Sequence, residues 1–117
     1  MDIRRKFGDS GEVLAEDFLK GKGYEILDRQ FLTRLGEIDL VAREGNEVVF
    51  VEVKTRHDLT FGYPEESVTP FKLRKIAMTA ELYLRTQKIR NAKYRIDVVS
   101  ILFTHGVPEI EHFIGVG

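Results

Sequence analysis

Two runs of alternating residues, 37–42 and 47–55, stand on either side of Gly45-Asn46, a dipeptide whose backbone suits a two-residue hairpin. No other feature restricts the fold as much, because a tight turn also fixes which residues face each other. With Gly45 and Asn46 as the loop, Glu44 pairs with Glu47, Asp39 falls opposite Glu52, and Glu37 falls opposite Lys54. Side chains alternate along a strand, so Ile38, Leu40, Ala42, Val49, Val51 and Val53 share one face, which is entirely apolar. The other face carries Glu37, Asp39 and Val41 beside Phe50, Glu52 and Lys54. One side of this hairpin must be buried, and the other mixes acids with apolar neighbours.

The remaining elements follow from local signals. Asp9 or Ser10 can cap a helix running to about Lys22, with Leu14, Ala15, Phe18 and Leu19 on one stripe and Gly23 ending it. Residues 25–32 read as a strand. Thr69 followed by Pro70 is a helix start, a cap and then proline at the first helical position. Leu73, Ile76, Ala77, Ala80 and Leu84 give that second helix its buried stripe. Residues 94–103 form a fourth strand and 109–114 a fifth, separated by a turn at Gly106-Val107-Pro108. The expected order is α-β-β-β-α-β-β, an α/β fold in which helices flank a central mixed sheet.

With 117 residues and no repeat or linker, the chain is expected to form one domain over 1–117. Hydrophobic residues at 43% and charged residues at 32% exclude a disordered charged tail. The longest apolar run, 48–51, is far short of the roughly 20 residues of a membrane-spanning helix. The basic residues at the start have no apolar stretch behind them, so no secretory signal is expected. The chain has no cysteine, which excludes disulfides and thiolate chemistry and fits the cytoplasm. Net charge is only -1, but residues 70–95 hold eight bases and one acid, so positive charge is concentrated in one segment.

Asp39 and Glu52, if directly opposed, have Cβ atoms about 4.5–5.5 Å apart, a placement that is repulsive for like charges. A divalent cation held between them would turn that repulsion into coordination. All-oxygen ligation favours Mg²⁺ or Mn²⁺ over zinc. His57, His105 and His112 have no ligand spacing and read as surface or packing residues. The competing reading makes Asp39 and Glu52 solvent-facing residues neutralised by Lys54, and a different hairpin register would separate them altogether. Glu12 is the acid that could join them, lying about 20° from Leu19 around the first helix and so flanking its buried stripe. It also fits a capping box, reaching back to the backbone at Asp9.

Gly36-Glu37-Ile38-Asp39-Leu40-Val41 followed by Val49-Phe50-Val51-Glu52-Val53-Lys54-Thr55-Arg56 resembles the core signature of the YraN-like family of uncharacterised bacterial proteins. Gly8, Gly11-Glu12, Ala15, Phe18-Leu19, Gly23-Tyr24, Ile26-Leu27 and Arg29 fit the same pattern, as do Phe61-Gly62, Pro64, Val68 and Lys72. That family is similar to the restriction-endonuclease-like superfamily, whose site is an acid and then, after a variable gap, an acid-x-lysine triplet. The resemblance implies a restriction-endonuclease-like fold, with Asp39 and Glu52-Val53-Lys54 as that site. Glu12 matches the first-helix acid of the archaeal Holliday-junction resolvase branch. The sequence departs from the pattern at Ile38, where many superfamily members have proline, and at Gln30, where the YraN-like pattern usually has asparagine.

The function expected is a metal-dependent endonuclease acting on DNA, including branched or structured DNA in repair or recombination. Glu12, Asp39 and Glu52 would hold Mg²⁺ or Mn²⁺, which activates water, orients it and stabilises charge on phosphorus. Lys54, on the same face as Glu52, would orient the attacking water and stabilise developing negative charge, and Glu37 would support the site from behind. An acidic site repels DNA unless positive charge surrounds it. Lys72 and Lys75 on the second helix, with Arg29, Arg34 and Arg56 near the acids, are the candidate phosphate contacts. Resolution of a branch needs two cuts and would favour a homodimer. The alternative is a non-catalytic nucleic-acid-binding module with a nuclease-like fold, serving in a larger assembly.

Overall fold

The structure, a computed structural model, describes residues 10–117. Asp9 as helix cap, and with it the capping box for Glu12, lies outside the described residues, as does Gly8. Helix α1 spans Ser10–Gly21, strand β1 Glu25–Leu32, β2 Glu37–Glu44 and β3 Glu47–Arg56. A short 3-10 turn, Pro64–Ser67, leads to helix α2, Pro70–Thr86, and the chain ends with β4, Lys93–Thr104, and β5, Val107–Phe113.

The five strands form one sheet in sequence order, antiparallel throughout except where β4 runs parallel to β3. That parallel pair requires a crossover, and α2 supplies it. The helices take opposite faces because the central strands alternate. Leu40, Ala42, Val49, Val51, Val99 and Ile101 pack against Ala15 and Leu19 of α1. Val41, Val48, Phe50 and Ile96 pack against Ile76, Ala80, Tyr83 and Leu84 of α2. A sheet covered on both sides needs apolar residues in both phases of the pleat, which β3 provides with four consecutive buried residues, Val48, Val49, Phe50 and Val51.

Helix ends follow the chemistry of their terminal residues. The Tyr24 N–H donates to Leu19 O and the Gly23 N–H to Lys20 O, both at 3.0 Å, while Gly23 adopts φ +92°. This double bond around a left-handed residue satisfies the last carbonyls of α1 and requires no Cβ there. Gly23→Ala should therefore cost about 1–2 kcal/mol in a urea melt, without altering the site. At α2, Thr69 Oγ1 accepts the Lys72 N–H at 3.2 Å and Pro70 occupies the first helical position.

The last turn is shorter than the sequence suggests. Instead of Gly106-Val107-Pro108, the loop is His105-Gly106, both with positive φ, and Val107 already pairs with Thr104. Two left-handed residues match the twist of a hairpin, so His105 pays a small backbone strain and β5 gains two residues at its start.

Candidate functional site

The hairpin register is the expected one over its paired length, from Glu44↔Glu47 to Leu40↔Val51. Beyond Val51 the strands part. Continuing the ladder would give the Val53 N–H to the Ile38 carbonyl, but it donates instead to Asp39 Oδ2 at 2.7 Å. The Asp39 side chain thus takes the place of a ladder rung at the mouth where β2 and β3 diverge. The expected pairs Asp39–Glu52 and Glu37–Lys54 lie beyond the last rung and do not form as ladder pairs.

Strict alternation across 37–42 also fails. Ile38 packs on the α2 side with Val41 and Phe50, whereas Leu40 packs on the α1 side. The cause lies in β1: Arg29 pairs with Leu40 and Phe31 with Ile38, but Gln30 between them has φ +51°. A left-handed residue interrupts the two-residue pleat, and the break falls at Asp39. Glutamine adopts that conformation at more backbone cost than asparagine would.

Asp39 and Glu52 nevertheless meet. Burial, then the hydrogen bond with Glu52, then repulsion between the two carboxyls push the Asp39 carboxyl up to about 8, while the Val53 N–H and Lys54 pull the other way. Asp39 is therefore biased toward its neutral form beside Glu52. The Lys54 Nζ stands 4.0 Å from Glu52 Oε2.

Glu12 reaches the same place from α1. It lines, with Asp39, Gln30, Glu16 and Arg29, a cavity of about 10 Å³, room for a single water-sized occupant. Gly11 makes the approach possible, since a methyl group there would collide with Thr55 Oγ1 on β3. Gln30 Nε2 donates to Glu12 Oε2 at 3.0 Å. Among the described residues, no three His, Cys, Asp or Glu side chains are grouped closely enough to hold a metal ion together. The two strand carboxyls are neighbours, and the helix acid lines the crevice with Asp39.

The expected basic residues divide. Arg29 is committed to Glu16 through both Nε and Nη2, the latter at 2.8 Å, and that bond is the main reason the Glu16 carboxyl falls to about 2. Arg34 is exposed on the β1–β2 turn, Lys72 and Lys75 are exposed on the first turns of α2, and Glu37 is exposed at the start of β2. Arg56 continues the row of Glu52 and Lys54 along β3, and its buried Nε has no hydrogen-bond partner among the described residues. Glu16 and Gln30 were not among the expected site residues. Glu16 had a usable signal, since it sits four residues after Glu12 and so on the same helix face.

The matched family model extends over residues 11–101, which include Glu12, Asp39, Glu52, Lys54 and Arg56, and is described as "Uncharacterised protein family UPF0102". The chain belongs to the UPF0102 family. A UPF0102 protein of Caldicellulosiruptor saccharolyticus is 52% identical over 98 residues, 84% of this chain and 83% of that protein. One of Geotalea daltonii is 49% identical over 109 residues, 92% and 86% of the two chains. One of Syntrophomonas wolfei is 46% identical over 112 residues, 96% and 97%. These relatives align along nearly their whole length, so the site lies within the shared family domain. The described residues contain no helix long and apolar enough to cross a membrane.

Proposed function

We propose that this UPF0102 protein is a metal-dependent endonuclease with a restriction-endonuclease-like fold, hydrolysing phosphodiester bonds in DNA, including branched or structured DNA. The observation that carries the reading is Asp39: a carboxyl fixed at the divergence of two strands by the Val53 N–H and set beside Glu52, where burial and the neighbouring carboxyl raise its pKa. Two neighbouring carboxyls that repel each other are the donor set a hard divalent cation prefers, because the ion neutralises both charges. Asp39 and Glu52 would hold Mg²⁺ or Mn²⁺, and Glu12 could complete the set by exchanging its bond with Gln30. Such an ion, when bound, supplies a Lewis acid and lowers the pKa of water.

The chain's own residues do the rest. Lys54 offers an ammonium on the Glu52 face, where it can donate to a phosphate oxygen and stabilise charge as it develops. Arg56, whose buried Nε has no partner among the described residues, fits a second anionic oxygen along the same row. Lys72 and Lys75 extend positive charge onto the helix that follows. No element presents a base-reading array to the major groove, so recognition would rest on phosphates and shape.

The test is incubation with linear, single-stranded, flap and four-way-junction DNA in Mg²⁺, Mn²⁺ or EDTA. Cleavage that EDTA abolishes supports the enzyme. Retarded but intact DNA in every metal condition would replace it with the non-catalytic binding module.

A readout independent of cleavage comes from pH. The folded pKa of Asp39, about 8, lies above its ordinary value of 3.8. Its contribution to stability is therefore fully present below the ordinary value and is lost as pH rises through about 8. In EDTA the melting midpoint should fall across that window, and Asp39→Asn should flatten the fall. Mg²⁺ should raise the midpoint most at the alkaline end, where no proton competes. A midpoint indifferent to Mg²⁺ at every pH would argue against a cation at these carboxyls.

A further inference from the structure

Among the described residues, the aromatic rings more than half exposed are Phe61, Tyr63 and Phe71, at 84%, 51% and 60%. Phe61 and Tyr63 fall on the segment that joins β3, which carries Glu52 and Lys54, to the basic helix α2, and Phe71 falls on the first turn of that helix. Exposed apolar side chains scattered singly need no explanation, but the confinement of the most exposed Phe and Tyr rings among the described residues to one connection and the helix turn after it does.

The segment is held in shape. The Thr60 N–H donates to Asp58 Oδ1 at 2.9 Å, the Gly62 N–H to Leu59 O at 3.0 Å, and the Tyr63 N–H to Glu66 Oε1 at 3.1 Å. Gly62 has φ +90°, and Pro64 is buried at the start of the 3-10 turn. Upstream, the His57 ring stacks on Phe103 with centroids 4.9 Å apart. Phe61 is thus presented at the tip of a turn tied down on both sides. A ring kept in water by an ordered backbone gains nothing from the hydrophobic effect until a ligand covers it.

Charge selects the ligand. Asp58 and Glu66 turn their carboxylates onto backbone N–H groups of the turn itself. Beyond it Phe71 lies among Lys72, Arg74 and Lys75, with the Lys75 ammonium 5.5 Å from the Phe71 ring centroid. Flat apolar faces interleaved with cations complement a polyanion whose bases are unstacked. Intact duplex offers no base face to a ring, because each face is already covered by its neighbours.

We propose that the 59–71 connection is a stacking platform for unpaired bases, with Phe61 as its principal ring, so that the substrate is DNA containing a single-stranded stretch. This rests on the nuclease reading for the role of the platform, but it is tested without cleavage. Fluorescence anisotropy in EDTA would compare three probes of roughly 20 nucleotides: a thymidine strand, the same strand with central abasic sites, and a blunt duplex. The wild type should bind the thymidine strand about tenfold more tightly than the abasic one. Phe61→Ala should lose about that tenfold on thymidine alone, Phe61→Trp should retain it, and both should melt like the wild type because the ring touches little of the core.

Equal binding of thymidine and abasic strands, or an equal loss by Phe61→Ala on all three probes, would overturn the platform. So would a wild-type dimer that Phe61→Ala converts to monomer, since the ring would then cover a second copy. If Mg²⁺-dependent cleavage occurs alongside any of these results, the stacking idea fails and the nuclease survives. Base-dependent binding without cleavage in Mg²⁺ or Mn²⁺ gives the reverse.

Discussion

Asp39→Asn is expected to lower DNA cleavage by about a thousandfold while leaving the fold intact, a loss of about 4 kcal/mol in transition-state stabilisation. Asparagine keeps the size of the side chain and its carbonyl oxygen can still accept the Val53 N–H, so the divergence of β2 and β3 should persist. What it removes is the negative charge that a divalent cation would neutralise. In EDTA the same substitution should hold or raise the melting midpoint above pH 8, because it abolishes the burial of an ionised carboxyl. That pairing of outcomes, activity lost and alkaline stability kept, separates a ligand from a structural residue. Lys54→Ala should cost less, about a hundredfold, since a lysine near the phosphate contributes one interaction and not the site itself. An Asp39→Asn protein that cleaves at the wild-type rate would remove these carboxyls from the chemistry.

The order of elements, the hairpin and the start of α2 were legible because each rests on local signals. Gly45-Asn46 sets a register that holds over five rungs, and Thr69-Pro70 caps α2 as its residue types require. The site was legible in composition but not in geometry. Alternation alone sends Asp39 to the face away from α1, where Glu12 could not meet it. The break at Gln30 brings Asp39 to the crevice that Glu12 lines, and a left-handed glutamine in a strand leaves no mark in a hydrophobic pattern. Nor does a pattern reveal a side chain standing in for a ladder rung. Arg29 shows the same limit from the other direction: it lies near the acids as expected, yet Glu16, one helical turn after Glu12, holds its guanidinium.

The largest loss of stability is expected at Asp97, on β4 beside Val51. This residue is fully buried in β4, and its carboxylate accepts from Arg95 Nε at 3.0 Å, from the Gly115 N–H at 3.0 Å and from His112 Nε2 at 2.7 Å. The Lys22 ammonium has only hydrogens to offer, so its 2.7 Å bond to His112 Nδ1 leaves Nε2 as the nitrogen that donates to Asp97. Arg95 carries the network outward. Its Nη1 bonds Glu47 at 2.6 Å and Glu44 at 3.1 Å beside the β2–β3 turn, and its Nη2 bonds the Tyr24 hydroxyl at 2.7 Å after α1. One carboxylate therefore fastens β5 and the end of the chain, and through Arg95 and His112 it also reaches the hairpin and the C-terminus of α1. Arg95-x-Asp97 leading into the apolar pair Val98-Val99 was the available sequence signal, and periodicity gave no reason to pair it with His112. Asp97→Asn would leave buried donors facing an amide and a guanidinium without its innermost counter-ion. Breaking a buried pair from one side costs about 3–5 kcal/mol, on the order of 10–20 °C in the melting midpoint of a chain this size. The check is a urea melt of Asp97→Asn, Arg95→Met and the double variant. Strong coupling, with the double variant no worse than either single one, is expected, since removing both partners leaves no orphaned charge. Additive losses would mean that Asp97 acts chiefly through His112 and Gly115, and cleavage per folded molecule should be unchanged in every variant.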